Sequence, residues 1–237
     1  MHLGKNNPKY EYYIGPEESR IKLKVTNKEK DIGVYIDPLL KFDDHVSETV
    51  KKASRISYLI LKTINCKIKC IMVPLFKTLI RPILEYGNVV WNNKSRKHAN
   101  SIEKVQRSFT KYITEVKDMD YNDRLKYLNL PSLEFRRLRG DLIEIFKITN
   151  KIYDSKTTDK LFNFSSNQQG LRQHNFKIFK SHTNKKLFKN FFTNRSINIW
   201  NKLPEHVVNV KTTNSFKNTI DKHFKDIMYC TNLTFMY

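Results

Sequence analysis

Apolar residues at helical spacing, punctuated once by proline, constrain this chain more than any other feature it carries. Between Leu75 and Ile113 the sequence reads LFKTLIRPILEYGNVVW, then NNKSRKHAN, then SIEKVQRSFTKYI. Leu75, Phe76, Leu79 and Ile80 recur on one helical face. Arg81-Pro82 is expected to break that helix, because proline disfavours helix in the residue before it and supplies no amide donor. Pro82 then opens a short second segment carrying Leu84, Tyr86 and Trp91. A third helix places Ile102, Val105, Phe109 and Ile113 on one side and Lys104, Arg107 and Lys111 elsewhere. The expectation is a helical body with buried aromatics and a basic rim.

The flanking sequence extends that reading. Residues 43–64 are amphipathic, with Val46, Val50, Ala53, Ile56, Ser57 and Ile60 on one face and Lys51, Lys52 and Arg55 on the other, Lys62 following. That basic face is the best candidate for a helix that tracks a phosphate backbone, although such a stripe also serves as a solvated face. Asp43 and Asp44 stand at the positive end of this helix. Before it, Tyr10–Ile14, Ile21–Val25 and Asp31–Asp37 read as three short strands, the second alternating as a half-buried strand does. After it, Ser132 is an expected N-cap following a turn at Asn129-Leu130-Pro131. Arg136, Arg137 and Arg139 can grip phosphates with two donors each, or pair with Glu134, Asp141 and Glu144 around them. Phe176–Lys180 and Leu187–Phe192 interleave aromatics with lysines, among them Lys185, Lys186 and Lys189; these rings either stack on bases or form a small core under a basic skin. One helix closes at Asn198–Pro204, and Ser215–Met228 is expected to form the last, with Phe216, Ile220, Phe224 and Ile227 on one face.

Charge narrows the partners. The 237 residues carry a formal net charge of +21, and the excess is uneven: +1 over residues 1–40, +10 over 41–117, +1 over 118–160 and +9 over 161–237. Two basic blocks straddle a balanced one. Such an excess repels itself and favours a polyanion, whose counterions are released on binding. Nucleic acid is the first candidate, and no small-molecule site stands out, since Gly4 and Gly15 lack phosphate-loop spacing. Three cysteines, Cys66, Cys70 and Cys230, argue against a disulfide framework and for a reducing, intracellular setting, nuclear or cytoplasmic. Cys66 and Cys70 are expected to be small buried hydrophobes, because no further Cys/His cluster completes a metal site. No apolar run reaches the length of a membrane span.

Several separated segments in order carry a resemblance. Phe76-Lys77 through Leu84-Glu85-Tyr86, the following Trp91, Glu103-Lys104-Val105-Gln106-Arg107, Met1–Lys5, Leu133–Leu142, Trp200–Pro204 and Ser215–Lys217 are similar to the region downstream of the polymerase active site in non-LTR (LINE-type, jockey-like) retrotransposon reverse transcriptases. The resemblance spans nearly the whole chain. It implies a thumb-like and C-terminal piece of an RNA-directed DNA polymerase that holds an RNA–DNA or DNA template–primer, with single-stranded nucleic acid a further ligand. It also implies that Ile32, Gly33 and Val34 belong to a hairpin supporting the primer terminus; an ordinary strand with glycine at a bulge is the plainer reading. In the family the Met-His-Leu-Gly tetrapeptide lies inside a longer chain, which implies a truncated reading frame. No catalytic residue is assigned: Asp43-Asp44 lacks the family's aromatic-x-Asp-Asp form and begins a helix. No cofactor is expected in this chain, Mg²⁺ belonging to a full-length relative.

The expected fold is therefore mainly α: a β-hairpin layer over 1–40, a helical thumb-like domain over 41–153, a linker over 154–170 and a basic α-rich subdomain over 171–237. A stand-alone basic nucleic-acid-binding protein and a decayed transposon reading frame fit the same residues.

Overall fold

The computed structural model describes residues 1–93, 95–154, 158, 160–164 and 176–233, with Lys186 described in its backbone alone. The chain is mainly α, with two small antiparallel strand pairs at its N-terminus. β1 (Tyr13–Ile14) pairs with β2 (Ile21–Lys22), and β3 (Glu29–Asp31) pairs with β4 (Val34–Ile36) in the register Lys30↔Tyr35. Ile32 and Gly33 join β3 to β4 with φ of +42° and +82°. Two positive φ values in a two-residue connection make the turn whose twist matches a hairpin. Asp31–Asp37 is thus not one strand but the tip and second arm of a hairpin. The first ribbon is shorter than expected, and Ile21, Leu23 and Val25 are all exposed. Their alternation does not mark a half-buried face, because this ribbon has only two short strands.

The helical body begins with α1 (Asp43–Thr63), which buries Val46, Ala53, Ser57 and Ile60 on the expected face. α2 (Lys69–Leu75), a π-helical turn at Phe76–Ile80 and α3 (Arg81–Glu85) then follow without interruption. The break expected at Arg81-Pro82 does not occur. Pro82 occupies the first turn of α3, and the wider turn before it accommodates the ring and the missing donor. The helical path breaks instead at Tyr86-Gly87, where Gly87 has φ +62°. α4 (Asn88–Trp91) starts there, and the Trp91 indole donates to the Tyr86 carbonyl at 2.6 Å. Phe76, Ile80, Leu84 and Trp91 are fully buried, whereas Leu79 and Tyr86 lie half exposed. The two cysteines expected in the interior are exposed, Cys66 in the loop before α2 and Cys70 near its start.

α5 (Arg96–Thr110) runs parallel to α1: His98 and Lys97 meet Asp43 at one end, and Thr114 N–H reaches the Lys67 carbonyl at 2.9 Å at the other. α6 (Tyr121–Leu128) ends on Asn129 in the left-handed region. Ser132 then caps α7 (Leu133–Thr149), its hydroxyl accepting from Phe135 N–H at 3.2 Å. Beyond it lie α8 (Lys186–Asn190), α9 (Phe192–Arg195), α10 (Ile197–Lys202), α11 (Glu205–Val208) and α12 (Thr213–His223). The last helix stops five residues before Met228, and Phe224 leaves it while staying buried.

Two apolar clusters divide the body. One runs from Val34 through Trp91 and Phe109 to Leu133. The other joins Phe135, Leu142 and Phe146 of α7 to Trp200, Val207, Phe216 and Ile220. α7 therefore joins the two cores, Leu133 lying in the first and Phe135 onward in the second. The reason is that α7 buries residues around much of its circumference, Leu133, Phe135, Leu138, Asp141 and Phe146 among them. Most of the expected linker, 155–157, 159 and 165–170, lies outside the described residues.

Asp141 and Arg195 lock these parts together, both side chains 1% exposed. The Arg195 guanidinium meets the Asp141 carboxylate with two bonds of 2.7 Å. It also donates to the Val89 carbonyl at 2.9 Å, and Ser196 Oγ donates to Asp141 at 3.1 Å. Removing one partner leaves a buried uncompensated charge. Asp141→Ala is expected to lower unfolding free energy by about 3–5 kcal/mol, read as a drop in the urea midpoint.

Candidate nucleic-acid interface

The hairpin tip and α1 face each other across a groove of about 680 Å³ lined by residues that include Lys30, Gly33, Tyr35, His45, Lys52 and Arg55. Local structure explains each wall. On one side the turn residue Ile32 adopts a conformation strained for a β-branched side chain. Its carbonyl is held by the Tyr86 hydroxyl at 2.9 Å. Gly33 has room for no side chain, since a Cβ there would stand 3.0 Å from the Tyr86 ring. One residue on, Val34 packs so closely on the next corner that a Cβ at Gly87 would meet it at 3.1 Å. The hairpin is thus seated on the α3–α4 corner, and the glycine serves this seat.

On the opposite wall, α1 presents Lys51, Lys52 and Arg55, all exposed. Lys51 pairs with Glu48 at 3.0 Å, which pulls the Glu48 carboxyl below its ordinary range. Lys52 and Arg55 make no ion pair among the described residues. Lys30 comes from β3 and lies 5.3 Å from the centre of the Tyr35 ring, with Lys28 at 4.5 Å on the same ring. Of the charged residues lining the groove, four are cationic and one, Glu48, is acidic. A like-charged concavity of this kind concentrates an anionic ligand.

His45 forms part of the floor. Its Nδ1 accepts from Tyr35 N–H at 3.3 Å, and its ring lies 5.4 Å from Trp91. Burial pushes its pKa from 6.5 down to about 4, so the ring is neutral near pH 7. Asp43 and Asp44, at the start of the same helix, are committed within the protein: Asp43 to the His98 ring at 2.9 Å and to Lys97 at 3.2 Å, Asp44 to Lys28 at 3.5 Å. The His98 contact, ahead of the others, holds the Asp43 carboxyl below its ordinary range.

The cations singled out in the sequence do not share one surface. Lys51, Lys52 and Arg55 line the groove together with Gly33, while Lys62 stays exposed near the far end of α1. Arg107 lies 4.6 Å from the Tyr121 ring, and Lys111 is exposed just past α5. Arg136 is engaged by both oxygens of Glu85, and Arg139 by Asp221. Arg137 is 3% exposed. Neither Arg136 nor Arg137 therefore presents an exposed, unengaged fork to a phosphate, and Arg136 and Arg139 pair across helices instead of with Glu134, Asp141 and Glu144. Those carboxylates go to Arg96, Arg195 and Lys147. Lys185 lines a second groove, of about 650 Å³, with the exposed rings of Phe179 and Phe188, and Lys189 is exposed on α8. The Lys186 side chain lies outside the described residues. Phe176 and Phe192, by contrast, pack against the second core.

Lys30, Tyr35 and His45 are groove residues that the sequence pattern does not single out, and Tyr86 is marked there only as part of a helical segment. Recognising Ile32-Gly33 as a two-residue turn would have found the first two, since it places Lys30 opposite Tyr35.

Two measurements probe this geometry. Gly33→Ala forces a side chain into a left-handed site against Tyr86, and is expected to cost about 1–3 kcal/mol in urea unfolding. His45 titrates at lower pH in the folded chain than in the unfolded one, so acid protonates the unfolded state first. Its contribution is complete above about pH 6.5 and is lost as pH falls toward 4. Stability at pH 5 is expected to be about 2 kcal/mol below that at pH 8 from this group, and the difference between wild type and His45→Gln isolates it.

No protein-family model matches this chain, and no solved structure does. An uncharacterized protein of Caenorhabditis elegans is 22% identical over 148 residues, which make up 61% of this chain and 75% of that protein.

Proposed function

We propose that this chain binds the backbone of duplex nucleic acid, RNA–DNA or DNA, as the thumb and downstream part of a non-LTR retrotransposon reverse transcriptase. The observation that carries the reading is the meeting of two independent sequence features in one groove: the Ile32-Gly33-Val34 hairpin and the Lys51, Lys52, Arg55 face of α1. The resemblance implied a hairpin that supports a primer end, and charge pattern alone marked the helix. Supporting it, the groove holds cations without ion-pair partners among the described residues and no base-reading set, which suits sequence-tolerant contact with phosphates.

Nucleotide joining is not proposed for this chain. A pair of Mg²⁺ ions needs several converging carboxylates. Among the described residues no three His, Cys, Asp or Glu side chains stand together to hold a metal, and Asp43 and Asp44 pair with Lys97 and Lys28. Among the same residues no helix is long and apolar enough to cross a membrane.

Fluorescence anisotropy with a labelled RNA–DNA hybrid, repeated from about 50 to 200 mM salt, tests the proposal. Affinity should fall steeply with salt. Replacing both Lys52 and Arg55 by Gln should reduce the slope of log K against log[salt] by roughly 1.8, about 0.9 for each phosphate no longer neutralised. An unchanged slope would remove the groove from the interface.

A further inference from the structure

The groove of about 650 Å³ that Lys185 lines shares no lining residue with the one between the hairpin and α1. Phe162, 5% exposed, lies in its lining, and two further rings there stand open to solvent, Phe179 at 58% and Phe188 at 46%. Their placement follows from the chain around them. Asn201 clasps the backbone of buried Ile178: its side-chain oxygen accepts from Ile178 N–H at 3.0 Å, and its amide donates to the Ile178 carbonyl at 2.9 Å. Ile178 also bridges Phe164 in antiparallel fashion, and Phe179 N–H donates to the Asn163 carbonyl at 2.7 Å. In such an extended segment neighbouring side chains face opposite ways, so holding Ile178 inward sends Phe179 outward. Phe188 stands on α8, and the Asn194 amide of α9 donates to its carbonyl at 3.0 Å. The surroundings are cationic. Residues 161–204 contain no Asp or Glu, Lys185 lines the groove, and Lys180 and Lys189 are exposed beside Phe179 and Phe188 in sequence.

The geometry points to this groove as a second binding site, at which unpaired bases of a single nucleic-acid strand stack on Phe179 and Phe188 while Lys185 meets the phosphates. Exposed rings beside cations that no nearby acid offsets suit a ligand that is flat and apolar in one part and anionic in another. A duplex does not fit that description, because its base faces already cover one another; unpaired bases can be splayed onto aromatic side chains. An acidic peptide would leave the rings without a partner, and an apolar one would leave the lysines. Every base has a face to stack, so the site is indifferent to sequence, and it holds a different form of the ligand from the hairpin groove.

Anisotropy on the full chain with labelled oligouridine and oligothymidine of roughly ten nucleotides, beside the RNA–DNA hybrid, tests the assignment, with circular dichroism and Tm confirming each fold. Phe179→Ala and Phe188→Ala should each weaken single-strand binding about tenfold and leave the hybrid unaffected. Their salt slopes should stay unchanged, since stacking releases no counterion. Phe188→Trp, which keeps a ring, should bind at least as tightly as the wild type. Lys185→Gln should instead lower the slope by about 0.7, the share of one phosphate on a single strand. Equal affinity for the two strands assigns the contact to bases and phosphates, and a preference for the RNA adds its 2′-hydroxyl, met by the polar side chains of Ser181, Thr183 or Asn184 in the same lining. Wild-type affinity in both alanine variants, an equal loss on the hybrid, or no single-strand binding by the wild type overturns the inference. If the wild type binds single strands and not the hybrid, the functional reading above falls while this site stands. A measurement on the unmodified chain is independent of how the variants fold: irradiating the complex with an iodouracil-substituted strand should crosslink Phe179 or Phe188, and crosslinks found only elsewhere overturn the assignment.

Discussion

The buried pair of Asp141 and Arg195 is the constraint on which the architecture turns. Two ions withdrawn from water are tolerable only when every donor and acceptor is met. Here that requirement reaches across the chain: the guanidinium from α9 holds a carboxylate of α7 and the Val89 carbonyl of α4. α4 in turn starts at Gly87, against which Val34 of the hairpin is packed. The wall of the groove that carries Gly33 is therefore tied, through the α3–α4 corner, to an ion pair in the other half of the molecule. Close approach of α4 to α7 is part of the same arrangement, since a Cβ at Gly140 would lie 2.9 Å from the Asn88 amide.

Cations in this protein divide by chemistry. Arginine, with a planar fork suited to two-point contacts, is used internally: Arg136 on Glu85, Arg139 on Asp221, Arg195 on Asp141, and Arg124 on the carbonyls of Arg107 and Met119 at 3.1 Å each. Lysines stay at the rim, where their charge acts at a distance. A net excess of +21 therefore overstates what a ligand meets. What remains for binding at the groove is a smaller set around the hairpin and α1, in which Arg55 is the exception to the rule.

Most helices are legible in the sequence because they obey a local rule. Val46, Ala53 and Ile60 repeat at helical spacing and are buried, and Ser132 caps α7 through a bond three residues away. Features decided by tertiary contact are not legible. Sequence proximity offers Arg136 partners along its own helix, yet its partner Glu85 is 51 residues distant in sequence. The hairpin turn escapes detection because isoleucine is a poor residue for a left-handed turn, and only the Tyr86 hydroxyl, 54 residues away, shows why it is held there. Composition changes near 153 and suggests a boundary there, whereas core membership follows what α7 touches. For the candidate site, charge points to α1 and the family resemblance to the hairpin; His45 gives no sequence signal because its place is set by the Tyr35 amide of the hairpin.

The π-helical turn at Phe76–Ile80 has a consequence for register. A wider turn holds one residue more than an α-turn, so everything downstream is rotated by about 100° relative to an unbroken α-helix. That phase offset brings Leu84 inward and carries Tyr86 to the hairpin. Excising one residue there would straighten the hydrogen-bond ladder and swing both side chains off their targets, so the orientation of the hairpin's support is encoded by a count of residues as much as by their kind.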